Sequence, residues 1–331
     1  MQTENITVVG GGAFGVALGN LLCDAGRSIC IWARDEITVY ERISKFTITD
    51  TKFNVTRDIL EATSASEMLV LAVPSHAVRT TLMKFRQHIT RKIPILIASK
   101  GMDRESGKLI SEVVEELCPG WPIGVIAGPN LASEVMKGLP TTITIATQIL
   151  DSDCKPFRSL MLALNSAILR TELSNDIIGI QACGAIKNVL SIGCGVCAGI
   201  YKSENADASM IGLAAREMKQ FVSAIGGNPD TVFLFGGIAD LVLSSSSPTA
   251  RNFNFGRNLV HNQKNASGTA GLVETTLEGV NSLPKLLERA KKRDCTLHMS
   301  NMVSDIVFHN TSVESTFDKF WKNAGAYDEY S

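Results

Sequence analysis

The glycine-rich stretch VVGGGAFGVALG, which begins at Val8, restricts the possible folds of this chain more than any other feature of its sequence. Glycine costs backbone entropy inside regular structure, so a cluster of glycines directly after an apolar run needs a specific reason. Gly10, Gly12 and Gly15 have the spacing G-x-G-x-x-G. A strand pattern precedes them, a helical pattern follows, and a second apolar run begins at Ser28. This context predicts a parallel α/β unit.

Short apolar, β-rich runs recur through the first half of the chain. After ITVVG and SICIWAR come MLVLAVP, IPILIASK, PIGVIAG and TTITIAT, which start at Met68, Ile93, Pro122 and Thr141. Near-continuous apolar runs separated by helices are typical of parallel strands that are buried on both faces. The sequence therefore predicts a doubly wound α/β domain of the Rossmann type, whose sheet ends at about residue 150.

The second half of the chain has helical patterning. A long apolar segment rich in small residues starts at Asn175, and three later segments combine a 3.6-residue apolar period with charged faces: ADASMIGLAAREMKQFVSAIG, LVETTLEGVNSLPKLLERAKK and VESTFDKFWKNAG. No Pro/Gly/Ser-rich linker marks the boundary. We expect two domains, residues 1–150 and a mainly α-helical domain over residues 151–331.

Composition limits the classes of partner. The 331 residues carry a formal net charge of −1, which gives no global electrostatic basis for binding nucleic acid or an acidic membrane. No apolar run reaches the ~20 residues that span a bilayer. The N-terminus carries Glu4 and no basic residue before Arg27, unlike a signal peptide. We therefore expect a cytoplasmic protein with no nucleic-acid partner and no membrane insertion.

The eight cysteines are scattered and lie mostly in apolar segments, as expected for reduced thiols in a cytosolic protein. Cys194 and Cys197 form a C-x-x-C pair, but neither a second pair nor a histidine follows at zinc-binding spacing. The surrounding residues are apolar and small. This favours a packed helix interior over a metal or redox site, and we expect no metal.

The glycine motif points to a dinucleotide, although the motif alone is also compatible with an ordinary turn. Gly10 would make the turn, Gly12 would let a pyrophosphate approach the backbone, and Gly15 would allow close packing of helix and strand. The second strand ends at Arg34 and Asp35. An acidic residue there favours a free ribose 2′-hydroxyl, whereas arginine tolerates a 2′-phosphate, so the choice between NAD and NADP stays open.

Six further motifs share their order and spacing with one enzyme family. They are AVPSH at Ala72, SKG at Ser99, AGPNLASEV at Ala127, GAIKNVLSIGCG at Gly184, GGIADLVL at Gly236 and SPTARNFNFG at Ser247. Together they resemble the NAD(P)-dependent glycerol-3-phosphate dehydrogenases of the soluble bacterial type, to about residue 285. The resemblance implies interconversion of sn-glycerol 3-phosphate and dihydroxyacetone phosphate, which supplies the backbone of phospholipids.

The resemblance also implies roles for individual residues. Residues 1–150 would bind the dinucleotide, and residues 151–331 would carry substrate binding and catalysis. Lys187 would transfer the proton, Lys100 would lie between cofactor and substrate, and Asp240 would orient the substrate. The remaining substrate-binding residues would be Gly128, Asn130, Ala250, Arg251 and Asn252, with the Arg-Asn pair on the phosphate. The cofactor-binding residues would be Gly10, Gly12, Ala13, Phe14, Gly15, Arg34, Lys100, Ala132, Arg251, Leu272 and Glu274. We also expect a homodimer.

Chemistry supports these roles. A secondary alcohol loses hydride only as its hydroxyl proton leaves, so a base must contact that oxygen. Lysine can serve if burial and a second cation favour its neutral form, and Lys100 would be that cation. The phosphate needs a planar, permanent cation, which favours Arg251. The alternatives are that Lys187 extends to water from an apolar helix and that Asp240 caps a helix.

The chain departs from the family pattern at several positions. Ala239 stands where the family has glycine, and its methyl group is expected to conflict with a backbone that needs glycine's freedom. Ala250 replaces a serine, Leu213 replaces an arginine, and the segment after Arg34 is short. These departures motivate two other hypotheses, a related two-domain dehydrogenase for another alcohol and a cofactor-binding sensor without turnover.

Overall fold

The computed structural model describes residues 4–44, 53–148, 155–264 and 277–324. The chain divides into two compact units, Met1–Ile177 and Ile178–Ser331. The residues from 155 to 177 belong to the first unit because they continue its sheet, as described below.

The first unit alternates strands and helices. Its described strands are β1 (Asn5–Val9), β2 (Ser28–Trp32), β3 (Phe53–Thr56), β4 (Met68–Leu71), β5 (Ile95–Ile97), β6 (Ile123–Ala127), β7 (Thr141–Thr147) and β8 (Leu169–Ser174). Its described helices are α1 (Ala13–Asp24), α2 (Glu36–Ser44), α3 (Ile59–Thr63), α4 (Ser75–Arg86), α5 (Ile110–Leu117), α6 (Ala132–Val135) and α7 (Lys155–Leu164). Among the described residues these strands form one sheet in the order β3-β2-β1-β4-β5-β6-β7-β8.

The predicted Rossmann-type architecture is confirmed. Strands β1 to β6 all run parallel, in the register that pairs Ile6 with Ile29 on one side and with Met68 on the other. Every residue of β4 and β6 is buried. Burial on both faces explains why these strands read as continuous apolar runs rather than as alternating patterns.

The sequence was misleading at three strands. Strand β7 was predicted to be parallel, but it runs antiparallel to β6, because the connection from Gly128 to Pro140 returns the chain without a long crossover helix. Strands β3 and β8 were not predicted, and β8 extends the sheet past residue 150. Both are edge strands. In β8 only Leu169 is fully buried, so its sequence LRTELS lacks the apolar run that identifies the inner strands.

The second unit is helical in its described residues, as predicted. Its helices are α8 (Ile177–Ile200), α9 (Glu204–Ala224), α10 (Asp240–Ser246), α11 (Arg251–Lys264), α12 (Glu278–Lys291), α13 (His298–Phe308) and α14 (Val313–Asn323). A 3₁₀-helix (Pro229–Phe233) and a five-residue π-helix (Phe235–Ala239) lead into α10. Such π-segments are rare and occur often at functional sites.

Helix α8 is the central helix of the second unit. It is long and apolar enough to cross a membrane, but 83% of its most apolar window is buried within the protein, which is the environment of a core helix. Cys194 and Cys197 are 2% and 0% exposed, and burial raises the pKa of each thiol to about 12. Both side chains pack in the interior as neutral thiols, and no metal-binding cluster of His, Cys, Asp and Glu occurs among the described residues.

A buried carboxylate joins α9 to α13. Glu217 accepts hydrogen bonds from the backbone N–H groups of Met299 (2.6 Å) and Ser300 (2.9 Å) and from the Ser300 hydroxyl (2.7 Å). It thus satisfies N–H groups in the first turn of α13, which have no partner within their own helix. Burial raises the pKa of Glu217, and these three donors offset part of that shift.

Candidate functional site

The candidate cofactor-binding and substrate-binding residues of the first unit follow the carboxyl ends of parallel strands. The glycine motif comes after β1, Arg34 after β2, Lys100 after β5, and Gly128 with Asn130 after β6. Because these strands are parallel, their carboxyl ends share one edge of the sheet, which is where open α/β sheets bind ligands.

The glycine loop has the local geometry of a phosphate cradle. Gly10 adopts φ 127°, and a Cβ there would lie 2.7 Å from the carbonyl oxygen of Ala72, so this turn requires glycine. At Gly12, by contrast, a Cβ would meet no atom within 4 Å among the described residues. The space next to the Gly12 backbone is therefore open.

The start of α1 faces this space with its N–H groups uncapped. Gly12 provides no side-chain cap, and the first turn of α1 contains no acidic residue. Ala13 is exposed, Phe14 is half-buried and Gly15 is buried. The first N–H groups of a helix lack intrahelical partners and carry a partial positive charge, so they suit an anion. The loop fits the pyrophosphate of a dinucleotide.

An open cleft of about 270 Å³ begins at the loop and reaches the end of β2. Arg34 is exposed on its wall. Asp35 accepts hydrogen bonds from the Thr38 N–H (3.3 Å) and from the Thr38 hydroxyl, which ties its carboxylate to the first turn of α2. These bonds, followed by the nearby charge of Arg42, lower the pKa of Asp35.

The residues after β5 and β6 form a second polar group on the same edge. The Lys100 ammonium donates to the carbonyl oxygen of Gly128 at 3.2 Å. The Asn130 amide donates to Thr141 Oγ1 and to the Thr142 carbonyl oxygen, both at 2.9 Å. Its Oδ1 atom is buried with no hydrogen-bond partner among the described residues, so it is an acceptor available to a ligand donor. Ala132 begins the short helix α6.

In the second unit, Lys187 forms a buried ion pair with Asp240. The side chains are 7% and 2% exposed, and Lys187 Nζ lies 2.5 Å from Asp240 Oδ1. Lys187 also donates to the Ser244 hydroxyl at 2.8 Å. Ser244 is one helical turn after Asp240 on α10, so the two oxygens share one face of that helix. Lys187 therefore does not extend to solvent, and within the second unit it pairs with the carboxylate of Asp240.

Polar contacts continue from the next residue of α8 to α11 and α12. Asn188 donates to Glu278 Oε2 at 3.4 Å and accepts from the Asn252 amide at 3.2 Å. The Glu278 carboxylate can only accept hydrogen bonds, so it fixes the donor-to-acceptor direction of this series of hydrogen bonds. Asn252 Oδ1 is buried without a partner among the described residues. Asn252 and the exposed Arg251 form the first turn of α11, whose leading N–H groups favour an anion.

Glycines bring α8 and α11 into backbone contact. A Cβ on Gly195 would overlap the Phe253 carbonyl oxygen, and a Cβ on Gly256 would overlap that of Ile192. The two helices cross at a distance that no side chain would allow. This crossing holds the first turn of α11 beside the part of α8 that carries Lys187.

The expected conflict at Ala239 does not occur. Ala239 has φ −66° and ψ −40°, which is ordinary right-handed helical geometry that alanine adopts without strain. The close approach is at Gly237, where a Cβ would overlap the carbonyl oxygen of Val232.

Several members of these clusters were not singled out from the sequence. Ser244 could have been found from its i, i+4 spacing to Asp240. Asn188 directly follows Lys187, but Glu278 and Arg42 carry no local signal. Ala250 precedes α11, while the predicted cofactor residues Leu272 and Glu274 lie outside the described residues.

Family models and curated relatives all match this chain to the same enzyme family. The family model described as the NAD-dependent glycerol-3-phosphate dehydrogenase N-terminus matches residues 5–152, and the corresponding C-terminus model matches residues 176–318. The chain is 31% identical to glycerol-3-phosphate dehydrogenase [NAD(P)+] of Rhodopseudomonas palustris over 95% of both proteins. It is 30% identical to the enzyme of the same name from Acinetobacter baumannii, covering 92% of this chain and 85% of that one.

A solved structure supports the fold. The crystal structure of glycerol-3-phosphate dehydrogenase from Coxiella burnetii superposes with a TM-score of 0.86 at 24% identity, covering 97% of this chain and 99% of that one. At this identity the likeness concerns the fold.

Proposed function

This chain belongs to the NAD-dependent glycerol-3-phosphate dehydrogenase family, and we propose that it interconverts sn-glycerol 3-phosphate and dihydroxyacetone phosphate with Lys187 as the proton-transfer group. The observation that carries the assignment of the reacting centre is the buried Lys187–Asp240 pair. An ion pair buried this deeply costs desolvation energy, and a role in chemistry is a reason for the protein to keep it.

The first unit provides the cofactor site in this proposal. NAD or NADP, when bound, supplies the acceptor or donor of hydride. The glycine loop and the start of α1 would hold the pyrophosphate, Arg34 would lie near the ribose, and Phe14, Lys100 and Ala132 would make the remaining cofactor contacts. Leu272 and Glu274 stay predictions from the family resemblance.

Lys187 is the general acid and base in this proposal. The Asp240 carboxylate favours its ammonium form, so in ketone reduction Lys187 donates a proton to the carbonyl oxygen as that oxygen gains charge. Alcohol oxidation is the reverse of this step and requires Lys187 as the neutral amine, which accepts the hydroxyl proton and becomes the ammonium. Asp240 and Ser244 hold the Nζ atom in place from one face of α10, which restricts the direction in which it can donate.

Arg251 binds the substrate phosphate in this proposal, at the start of α11. A guanidinium makes two parallel, charge-assisted hydrogen bonds to a phosphate, and the helix N-terminus adds a partial positive charge. Asn252 serves the substrate beside it, and Ala250 lines the same turn. Gly128 and Asn130 are the substrate-binding residues that we assign to the first unit.

We assign the enzyme to the cytoplasm and to the supply of the glycerol backbone for phospholipids, and we expect a homodimer. The family membership supports the first two assignments, and size-exclusion chromatography with light scattering tests the third. A mass of one chain, 35.6 kDa, would contradict the homodimer.

The test of the function compares two ketones. Absorbance loss of NADH and NADPH is followed with dihydroxyacetone phosphate and with unphosphorylated dihydroxyacetone. Arg251→Ala should raise the KM for the phosphorylated ketone at least about 30-fold, because losing one partner of such a pair costs about 2–5 kcal/mol. The KM for the unphosphorylated ketone should rise far less.

Arg257→Ala is the matched control, since Arg257 is an exposed arginine on the same helix. Arg257→Ala should leave the KM values for both ketones unchanged. Equal losses with both ketones in Arg251→Ala would show that Arg251 serves the cofactor or the fold. Absence of turnover with either cofactor in the parent protein would refute the function itself.

A further inference from the structure

Helix α2 packs directly on the glycine loop. A Cβ on Gly11 would overlap Val39 Cγ2 and lie 2.8 Å from Ala33 Cβ, so only glycine lets α2 approach this closely. Val39 is buried against the bare backbone. The residue three positions later, Arg42, lies on the same helical face. The approach of α2 thus brings Arg42 to the loop.

Arg42 is held in a defined position there. Its Nη1 atom donates to the carbonyl oxygen of Gly11 at 2.7 Å, and the side chain is half-buried. The guanidinium lines the same cleft as Arg34. Two cationic groups, one from the end of β2 and one from α2, therefore line the region where a Rossmann fold reads the 2′ position of the adenosine ribose.

Asp35 is the residue that would favour a free 2′-hydroxyl, but its carboxylate is already hydrogen-bonded to Thr38. Both of its oxygens accept hydrogen bonds from Thr38. The carboxylate therefore caps α2, and Arg42 is close enough to contribute to the lowered pKa of Asp35. Two guanidinium groups against one carboxylate leave a net positive charge on this part of the cleft.

We propose that Arg42 is a specificity-determining residue that, together with Arg34, binds the 2′-phosphate, so that the chain prefers NADP(H) to NAD(H). This inference rests on the proposed function, because it assigns the cofactor of the same site. The bond to Gly11 fixes the planar guanidinium of Arg42, and its other N–H groups are donors for phosphate oxygens.

The experiment measures binding rather than turnover. Dissociation constants of NADPH and NADH are determined by nucleotide fluorescence for the parent and for Arg42→Met, and those of adenosine 2′,5′-bisphosphate and adenosine 5′-phosphate by calorimetry. The parent should bind NADPH at least tenfold more tightly than NADH. In Arg42→Met the NADPH constant should rise at least tenfold, and the NADH constant should change less than twofold. The bisphosphate and the monophosphate should follow the same pattern.

Two further variants exclude indirect effects. Arg104→Met makes the same change of charge at an exposed residue that does not line the cleft. It should change the dissociation constant of neither NADPH nor NADH. Arg42→Lys keeps a charge and a donor, and should regain only part of the lost affinity because a point charge cannot reproduce the planar fork. Thermal unfolding verifies that each variant is folded.

The inference is overturned if the parent prefers NADH, or if Arg42→Met weakens NADH and NADPH equally. Either result leaves the proposed dehydrogenase intact as long as the parent reduces dihydroxyacetone phosphate with one of the two cofactors. Failure of that reaction, with preferential NADPH binding retained, would refute the proposed function and uphold the role of Arg42.

Discussion

Replacing Asp240 with leucine should destabilise the second unit far more than a typical substitution. The side chains of Asp240 and Lys187 are 2% and 7% exposed, and Lys187 Nζ lies 2.5 Å from Asp240 Oδ1. Removal of one partner of a buried ion pair leaves the other charge uncompensated, which costs about 3–5 kcal/mol. The whole free energy of unfolding of a natural protein is only about 5–15 kcal/mol. The Ser244 hydroxyl would still accept one hydrogen bond from Lys187, which places the expected loss towards 3 kcal/mol.

The double variant Lys187→Met/Asp240→Leu separates stability from chemistry. Replacing a whole buried pair by apolar residues of similar volume is often neutral or stabilising. The double variant should therefore regain most of the stability that either single variant loses. Its turnover should stay about two to four orders of magnitude below the parent, because the proton-transfer group is absent.

Urea unfolding followed by circular dichroism and by tryptophan fluorescence gives the free energies for the parent, both single variants and the double variant. Because each single variant should lose about 3 kcal/mol and the double variant should regain most of that loss, the coupling free energy from this cycle should be about 4–5 kcal/mol. An additive cycle, with each single variant within about 0.5 kcal/mol of the parent, would refute the conclusion that the two charges depend on each other.

Three other predictions concern separate parts of the molecule. Gly12→Val should abolish NADH and NADPH binding in calorimetry without lowering the unfolding temperature, because the new side chain enters open space next to the loop; unchanged affinity would show that the loop has no ligand role. Lys187→Arg should recover little of the turnover lost in Lys187→Met, since arginine stays protonated in proteins; parental turnover would exclude Lys187 as acid and base. The raised pKa of Glu217 means that the folded state binds more protons than the unfolded state above pH ~4.5, so stability should fall as pH rises from 4.5 towards the folded-state pKa. Glu217→Gln should remove that fall in urea midpoints measured across this range, and an unaltered slope would assign the dependence to other groups.

The inner strands could be predicted because burial on both faces leaves an unmistakable apolar run. Strands β3 and β8 could not, since an edge strand keeps polar side chains such as Asn54 and Arg170 in contact with solvent. The direction of β7 was also hidden. Its sequence, TTITIAT, is as apolar as that of a parallel strand, and direction depends on the path of the connection before it.

In the candidate site, too, some residues could be predicted from local sequence and others only from the tertiary structure. The glycine loop was visible because local backbone geometry demanded glycine at Gly10. Ser244 was within reach of a helical spacing argument. Glu278 is 90 residues from its partner Asn188, and Arg42 is 31 residues from Gly11, so only the tertiary structure reveals these contacts.

The crossing of α8 and α11 has a consequence for motion. Where side chains separate two helices, rotamer changes allow one helix to slide along the other by small steps. Gly195 and Gly256 leave no such layer, because each faces a carbonyl oxygen of the opposite backbone. Sliding would drive rigid peptide groups into each other, so this pair of helices has to move as a single body. Any opening or closing of the enzyme during turnover must therefore bend the chain elsewhere, and amide hydrogen exchange in the crossing should be among the slowest in the protein.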